Sequence, residues 1–202
     1  AGVTTNVTDR NTPSDLLGAV KVTGSQGNWR YGTLVASEDD TSIRGRAADG
    51  SSVRVNATGR DFAIGRLLYE DTSGGGRRGI GWIGTRLDHP NREATVNGID
   101  WSWFSADTRW VLDGQFLHSD VNGTKGQGTM FDLHYRPQRG VQHSFTGTFF
   151  DDKLEINDVG YLQRNDHEML DYRLSVTQSG LARFRSLTRS MNVINQWNGD
   201  GR

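Results

Sequence analysis

The sequence predicts an all-β protein: an antiparallel up-and-down meander that forms a transmembrane, outer-membrane-type β-barrel. Apolar and polar residues alternate with period two along most of the 202 residues, as in strands whose successive side chains point to opposite faces. Several stretches reach the roughly 9–11 residues that a membrane-spanning strand needs; they are 61–71, 94–105, 108–119 and 168–178. Aromatic residues also gather near the predicted strand ends, where a membrane barrel carries its aromatic girdles.

The composition excludes several other classes of protein. The chain has 26 glycines, no cysteine and a net charge of -1. A chain without cysteine has no disulfide framework and no thiolate metal site. Near-neutral charge with mixed signs argues against a nucleic-acid partner. The sequence has no apolar run of about 18 residues, the length of a transmembrane helix.

The elements follow in chain order. Residues 1–14 are predicted to be an N-terminal loop, and 15–197 to hold about ten to eleven antiparallel strands of a single barrel domain or barrel segment. The strands are placed at 16–24, 29–37, 61–69, 79–87, 96–104, 110–118, 129–135, 143–149 and 170–176, with a later pair at 156–164 and 184–194. Longer polar connections are expected at 39–60, 88–93 and 119–128, and all three prolines are expected in connections.

The alternation divides the side chains between two environments. The aromatic and aliphatic residues are predicted to face lipid, with aromatic residues at Trp29, Tyr31, Tyr69, Trp82, Trp101, Trp103, Trp110 and Tyr135. The opposite parity is predicted to face the lumen, with Asp100, Asp113, Asp132, His134, Asp171 and Arg173. A polar interior of this kind selects solutes by size and charge without covalent chemistry.

Two other classes of protein remain open from the pattern. One is a soluble or periplasmic β-sandwich carbohydrate-binding module, in which exposed tryptophans stack on sugars; a soluble sandwich without that role would instead bury the aromatic residues as the core between its two sheets. The other is a glycan-active hydrolase, which needs two carboxylates about 5–9 Å apart in a cleft. No catalytic constellation is evident, so we expect no enzymatic activity and no cofactor.

Two motifs resemble a known family. Residues 18–24 (GAVKVTG) followed by 29–36 (WRYGTLVA), and residues 157–166 (NDVGYLQRND), are similar to the barrel of bacterial outer-membrane proteins that carry an N-terminal carbohydrate-binding, family-nine-like domain. The resemblance covers most of the chain, and the barrel of that family is a domain of unknown function. It implies location in the bacterial outer membrane and a role as pore, uptake or docking component, with oligosaccharide as the ligand class.

The chain departs from that family in two ways. The sugar-binding-like domain is absent, and residues 198–202 (NGDGR) do not form the aromatic-ending final strand of a complete barrel. The chain therefore resembles an internal part of a longer barrel. Because open strand edges are not tolerated in lipid, its expected partners are outer-membrane lipid and the remaining strands of the parent barrel or other chains.

The second motif supplies the candidate site residues, Asn157, Asp158, Arg164 and Asp166. One hypothesis is a polar network at the barrel mouth or in the lumen, in which Arg164 pairs with Asp158 or Asp166. The alternative is a structural turn at Asn157-Asp158 with a bulge at Gly160. The five histidines show no metal-binding pattern, so no metal site is predicted.

Overall fold

In the computed structural model the described residues are 4–5 and 14–199. Within them lie thirteen strands, and every paired neighbour is antiparallel. The strands are β1 (Thr4–Thr5), β2 (Leu16–Gln26), β3 (Trp29–Glu38), β4 (Thr41–Arg46), β5 (Ser52–Ala57), β6 (Asp61–Asp71), β7 (Arg77–His89), β8 (Arg92–Phe104), β9 (Trp110–Val121), β10 (Thr124–Gln138), β11 (Val141–Phe150), β12 (His167–Ser179) and β13 (Ser186–Trp197). The predicted all-β antiparallel meander is confirmed.

Ten of these strands form one continuous sheet, in the order β13-β12-β11-β10-β9-β8-β7-β6-β3-β2. Strands that follow one another in the chain are therefore neighbours, except that β4 and β5 leave the meander and form a small sheet with β1. The large sheet is not closed into a barrel, because β2 and β13 each pair on one side only. The described residues include no helix of a length and hydropathy that could span a membrane.

Two connections predicted to be long are tight turns. Strands β7 and β8 are joined through Pro90 and Asn91, and β9 and β10 through Asn122 and Gly123. Asn122 and Gly123 have φ angles of 50° and 82°, as the two central residues of a type I′ hairpin turn require. The polar residues on both sides of this turn therefore belong to strands β9 and β10 and not to a loop.

Other boundaries also differ from the prediction. The connection 39–60 contains the hairpin of β4 and β5, and the loop predicted for 1–14 contains β1. No strand forms at 156–164, which belongs to the long connection between β11 and β12. Pro137 lies inside β10, next to a register irregularity between Tyr135 and Gln138, where a proline is tolerated in a sheet. Pro13 lies outside the described residues.

The hydrogen-bond register assigns every strand residue of the large sheet to one of two faces, since directly opposite residues share a face. One face carries most of the charged and hydroxyl side chains, and we call it the polar face. The other carries most of the aromatic and aliphatic side chains, and we call it the apolar face. Only four hydrophobic side chains of the described residues are buried: Leu87, Ala94, Leu117 and Leu154. The core is thus a small cluster, and it lies on the polar face.

Candidate functional site: the polar face and its docked segment

All six residues predicted for the lumen lie on the polar face. Asp113 is opposite Asp132, which is opposite Thr146, which is opposite Asp171. The adjacent row holds His134, Ser144 and Arg173, and Asp100 lies one row to the other side. The period-two pattern therefore assigned these side chains to a common face, because a strand alternates strictly.

Three carboxylates form a row across this face. The Asp132 carboxylate accepts a hydrogen bond of 2.6 Å from the Thr146 hydroxyl. One oxygen of Asp171, Oδ1, is buried and has no hydrogen-bond partner in the described part of the chain. Asp113 lies directly opposite Asp132, an arrangement of like charges that costs stability in a sheet. The row gives the middle of the polar face a negative charge.

An ion pair spans three strands beside this row. Arg66 of β6 reaches over β7 to Asp100 of β8, and its guanidinium binds both carboxylate oxygens. Gly81 of β7 lies beneath the pair, where an added Cβ would come within 2.6 Å of the guanidinium nitrogens. The missing side chain at Gly81 therefore makes room for this bridge. In the sequence Arg66 is a charged residue between the apolar residues Ile64 and Leu68, and its partner 34 residues away cannot be predicted from that position.

The connection between β11 and β12 folds back onto the polar face. We call residues 151–166 the docked segment, and the end of the strands where it folds the docked end. Leu154 of this segment is 1% exposed and contacts the sheet above Gly128, where its Cδ2 lies 2.7 Å from the position of an added Cβ. At Gly126 an added Cβ would overlap the backbone of Lys153 and Leu154. Two glycines in β10 thus permit the close approach of the segment.

Polar contacts fix the docked segment to three strands. The Arg92 guanidinium of β8 donates two hydrogen bonds to the Asp158 carboxylate, at 2.6 and 2.8 Å. The Glu155 amide donates to the Ser119 hydroxyl at 3.1 Å, and Ser119 is completely buried. The Gln127 amide of β10 donates to the Asp151 carboxylate at 2.8 Å. These contacts join residues far apart in sequence, so the motif alone did not predict them.

The four candidate residues of the motif have different roles. Asn157 accepts a hydrogen bond of 2.6 Å from the Leu162 amide inside a turn, and Asp158 is the anchor just described. The Asp166 carboxylate accepts from the Gly199 amide at 2.7 Å. Arg164 is exposed, and its predicted pairing with Asp158 or Asp166 is not found among the described residues. The structure therefore has the predicted turn at Asn157-Asp158, whereas Asp158 pairs with Arg92 and not with Arg164. Gly160 lies in the connection between β11 and β12, so the bulge predicted there does not form.

The neighbouring connection adds a further charge near the docked segment. The Arg60 guanidinium, just before β6, donates two hydrogen bonds to the Glu38 carboxylate, at 2.7 and 2.8 Å. Glu38 raises the pKa of Arg60 above its usual value, and the negative charge of Asp158 adds to this effect. The β3–β6 connection therefore carries a cation whose charge is paired locally, by Glu38 at the end of β3.

The apolar face has no covering layer among the described residues. All six tryptophans lie on it: Trp29, Trp82, Trp101, Trp103, Trp110 and Trp197. Its aliphatic and aromatic side chains remain accessible across the sheet, with Ile80 at 57%, Phe116 at 40% and Leu170 at 44%. The small sheet of β1, β4 and β5 is not hydrogen-bonded to the large sheet.

Aromatic rings organise the apolar face toward the end opposite the docked end. Trp110, Tyr135, His143 and Tyr172 stack in succession across β9 to β12, with ring centroids 4.0, 5.9 and 6.1 Å apart. The His143 imidazole and the Tyr172 hydroxyl are also hydrogen-bonded at 2.9 Å. Contacts between these rings stabilise the pairing of neighbouring strands.

In one strand the sequence pattern indicates the wrong face. Phe62, Ile64 and Leu68 of β6 lie on the polar face, and Leu67 and Tyr69 lie on the apolar face.

In the described residues no group of three or more histidine and acidic side chains forms a metal-binding cluster. His118 and His134 lie on opposite faces.

The comparisons with known proteins add no assignment: no protein family, curated protein or solved structure matches this chain. The site is therefore interpreted from its geometry.

Proposed function

We propose that this chain forms part of the wall of an outer-membrane β-barrel, and that it acts as a pore or uptake component without enzymatic activity. The apolar face would contact lipid, and the polar face would line the interior. The docked segment would narrow that interior at one end of the strands. Oligosaccharide, the ligand class that the family resemblance implies, stays a prediction.

The observation that carries this proposal is the apolar face, which runs across all ten strands of the large sheet without a cover. A soluble monomer rarely exposes a contiguous apolar patch of more than a few hundred Å², whereas a barrel in lipid needs an apolar outer band. In the sandwich alternative a second sheet would cover this face. Among the described residues the only other sheet has three short strands and lies elsewhere.

Strand length and the position of the aromatic residues support the same proposal. The strands of the large sheet contain 10 to 15 residues, at or above the roughly 9–11 that cross a bilayer with the usual tilt. The stacked rings near the end of β9 to β12 fit an aromatic girdle at a membrane interface. At the docked end the same face turns polar, with Asn97, His118 and Gln127 in one row.

The connections suggest which end would face outward. Both long connections, 39–60 and 151–166, leave the sheet at the docked end, while the opposite end has turns such as 27–28 and 139–140. Outer-membrane barrels have short periplasmic turns and longer extracellular loops. We therefore place the docked end on the extracellular side, with the docked segment folded inward beneath the mouth.

Closure of the barrel requires partners. The edge strands β2 and β13 have unpaired backbone groups along their outer sides, and lipid cannot satisfy such groups. In the proposed role they pair with the remaining strands of the parent barrel or with other chains. The row of Asp113, Asp132 and Asp171 gives the interior a negative surface that would favour polar or cationic solutes over anions in its middle.

The proposal is tested by tryptophan quenching in vesicles whose acyl chains carry bromine. Because all six tryptophans lie on the apolar face, brominated acyl chains should quench the fluorescence strongly after insertion. Leu112→Arg places a charge inside the apolar band and should lower the free energy of unfolding in the bilayer by about 2–4 kcal/mol.

Asp113→Arg is the matched control, because it introduces the same side chain one residue along, on the polar face and opposite Asp132. Its effect should stay below about 1 kcal/mol. Equal effects of the two substitutions, or a folded monodisperse chain in detergent-free buffer that bromine does not quench, would refute the proposal.

A further inference from the structure

A hollow opens on the polar face between β2, β3 and β6, away from the docked segment. Its centre is Gly32 of β3, whose neighbours across the strands are Thr23 and Arg66. Gly32 has no side chain and forms part of the floor of an open space of about 320 Å³. Leu34, Ile64 and Leu68 form its walls, so the surface inside the hollow consists almost entirely of carbon.

Of the three cations around the hollow, two are paired with carboxylates and one is not. The Arg66 guanidinium is turned away over Gly81 and bound to Asp100, so Arg66 contributes mainly its aliphatic stem. Arg30 is bound to Glu70, which a second arginine also contacts. Lys21 of β2 lines the rim, is exposed, and has no acidic partner in the part of the chain that the structure describes. The hollow therefore combines an apolar interior with one unpaired positive charge.

We propose that this hollow binds a small amphiphilic monoanion, an aryl or short alkyl carboxylate. The apolar part would lie above Gly32 between Leu34, Ile64 and Leu68, and the carboxylate would meet the Lys21 ammonium. Ligand sites have this composition: mostly apolar walls, a few polar groups that fix orientation, and volumes from about 300 Å³ upward. The carboxylate would supply the negatively charged partner that the Lys21 ammonium lacks. The apolar part of the ligand would remove the exposed carbon atoms of the hollow from water.

Binding at the hollow does not depend on membrane insertion, but its placement along a transport path rests on the proposed function. In that role the hollow would bind an organic anion beside the acidic row, on the side of the interior that carries Lys21. The two proposals fail separately, because binding is measured by titration and insertion by bromine quenching.

The test titrates the detergent-solubilised chain with 4-(trifluoromethyl)benzoate and follows the ligand by ¹⁹F NMR. Gly32→Leu places a side chain in the hollow and should abolish saturable binding. A Cβ at this position meets only the Thr23 methyl at 3.4 Å and the Val22 carbonyl oxygen at 3.8 Å, so the first added carbon is accommodated without displacing backbone, and circular dichroism of the variant checks that the sheet is retained. Lys21→Gln should weaken binding about five-fold, as expected for one partly exposed ion pair.

Lys125→Gln is the matched control, since it removes the same charge from the opposite face of the sheet and should leave binding unchanged. Weaker binding of 4-(trifluoromethyl)benzyl alcohol would show that the negative charge contributes. The proposal is overturned if the unmodified chain shows no saturable binding, or if Gly32→Leu binds the ligand as tightly as the unmodified chain. It is also overturned if Lys21→Gln and Lys125→Gln change the affinity for the ligand equally.

Discussion

Replacing Leu154 with alanine should release the docked segment and leave the large sheet folded. Leu154 is 1% exposed, and it is the only residue of the segment among the buried hydrophobic side chains of the described residues. Its truncation removes the transfer free energy of the lost atoms and leaves a cavity, together about 2–5 kcal/mol. The hydrogen bonds between strands are not touched, so this loss should act on the local opening of the segment.

Hydrogen exchange measures that opening directly. The Glu155 amide is protected by its hydrogen bond to the buried Ser119 hydroxyl, and it exchanges only when the segment leaves the sheet. A loss of 2 kcal/mol corresponds to an increase in exchange of about 30-fold. Peptides that cover 151–166 should show this acceleration in Leu154→Ala, while amides in the middle of β9 and β10 should exchange at their original rates.

Val159→Ala provides the control within the same segment. Val159 is 38% exposed, so its truncation should change the opening free energy by no more than about 0.5 kcal/mol. The reasoning is refuted if the two variants exchange alike, or if Leu154→Ala accelerates exchange throughout the sheet. The second result would mean that the segment and the sheet open as one unit.

Two further predictions concern the same contacts. Gly126→Ala should destabilise docking of the segment by about 1–3 kcal/mol, because the added Cβ overlaps the backbone of Lys153 and Leu154. Gly18→Ala, whose Cβ meets nothing within 4 Å, is the control, and equal hydrogen exchange of 151–166 in the two variants would contradict the reasoning. In a double-mutant cycle, Arg92→Ala and Asp158→Ala should show a coupling energy of about 1–2 kcal/mol for a half-exposed bidentate pair, and strictly additive losses in exchange protection would show that the pair does not hold the segment.

The strands could be predicted because the information that determines them is local. Alternation along β8 or β12 already sorts Asp100 and Asp171 from their apolar neighbours, and the register then brings both residues to the same face. The predicted strands end several residues too early, because polar residues such as Gln127 continue the strand beyond the part in which apolar and polar residues alternate. Nothing in a single strand marks that point.

The docked segment could not be predicted for the opposite reason, because its partners are remote. Asp158 is hydrogen-bonded to Arg92, which is 66 residues away in the sequence. The motif instead predicts an ion pair with a near neighbour, Arg164. The signal that was available lies in β10, where Gly126 and Gly128 interrupt one parity of a strand. Two glycines on one face indicate that another part of the backbone passes close above them.

Hydrophobic residues on the polar face are the feature that links the docked segment to the hollow. Leu87 and Leu117 lie on that face and are buried, as is Leu154 of the docked segment. Leu34, Ile64 and Leu68 lie on the same face, yet among the described residues no segment covers them. Since apolar side chains exposed to water cost free energy unless something covers them, the buried patch explains where the chain folds back onto itself. The uncovered patch, with Lys21 at its rim, is by the same argument the place where a ligand would bind.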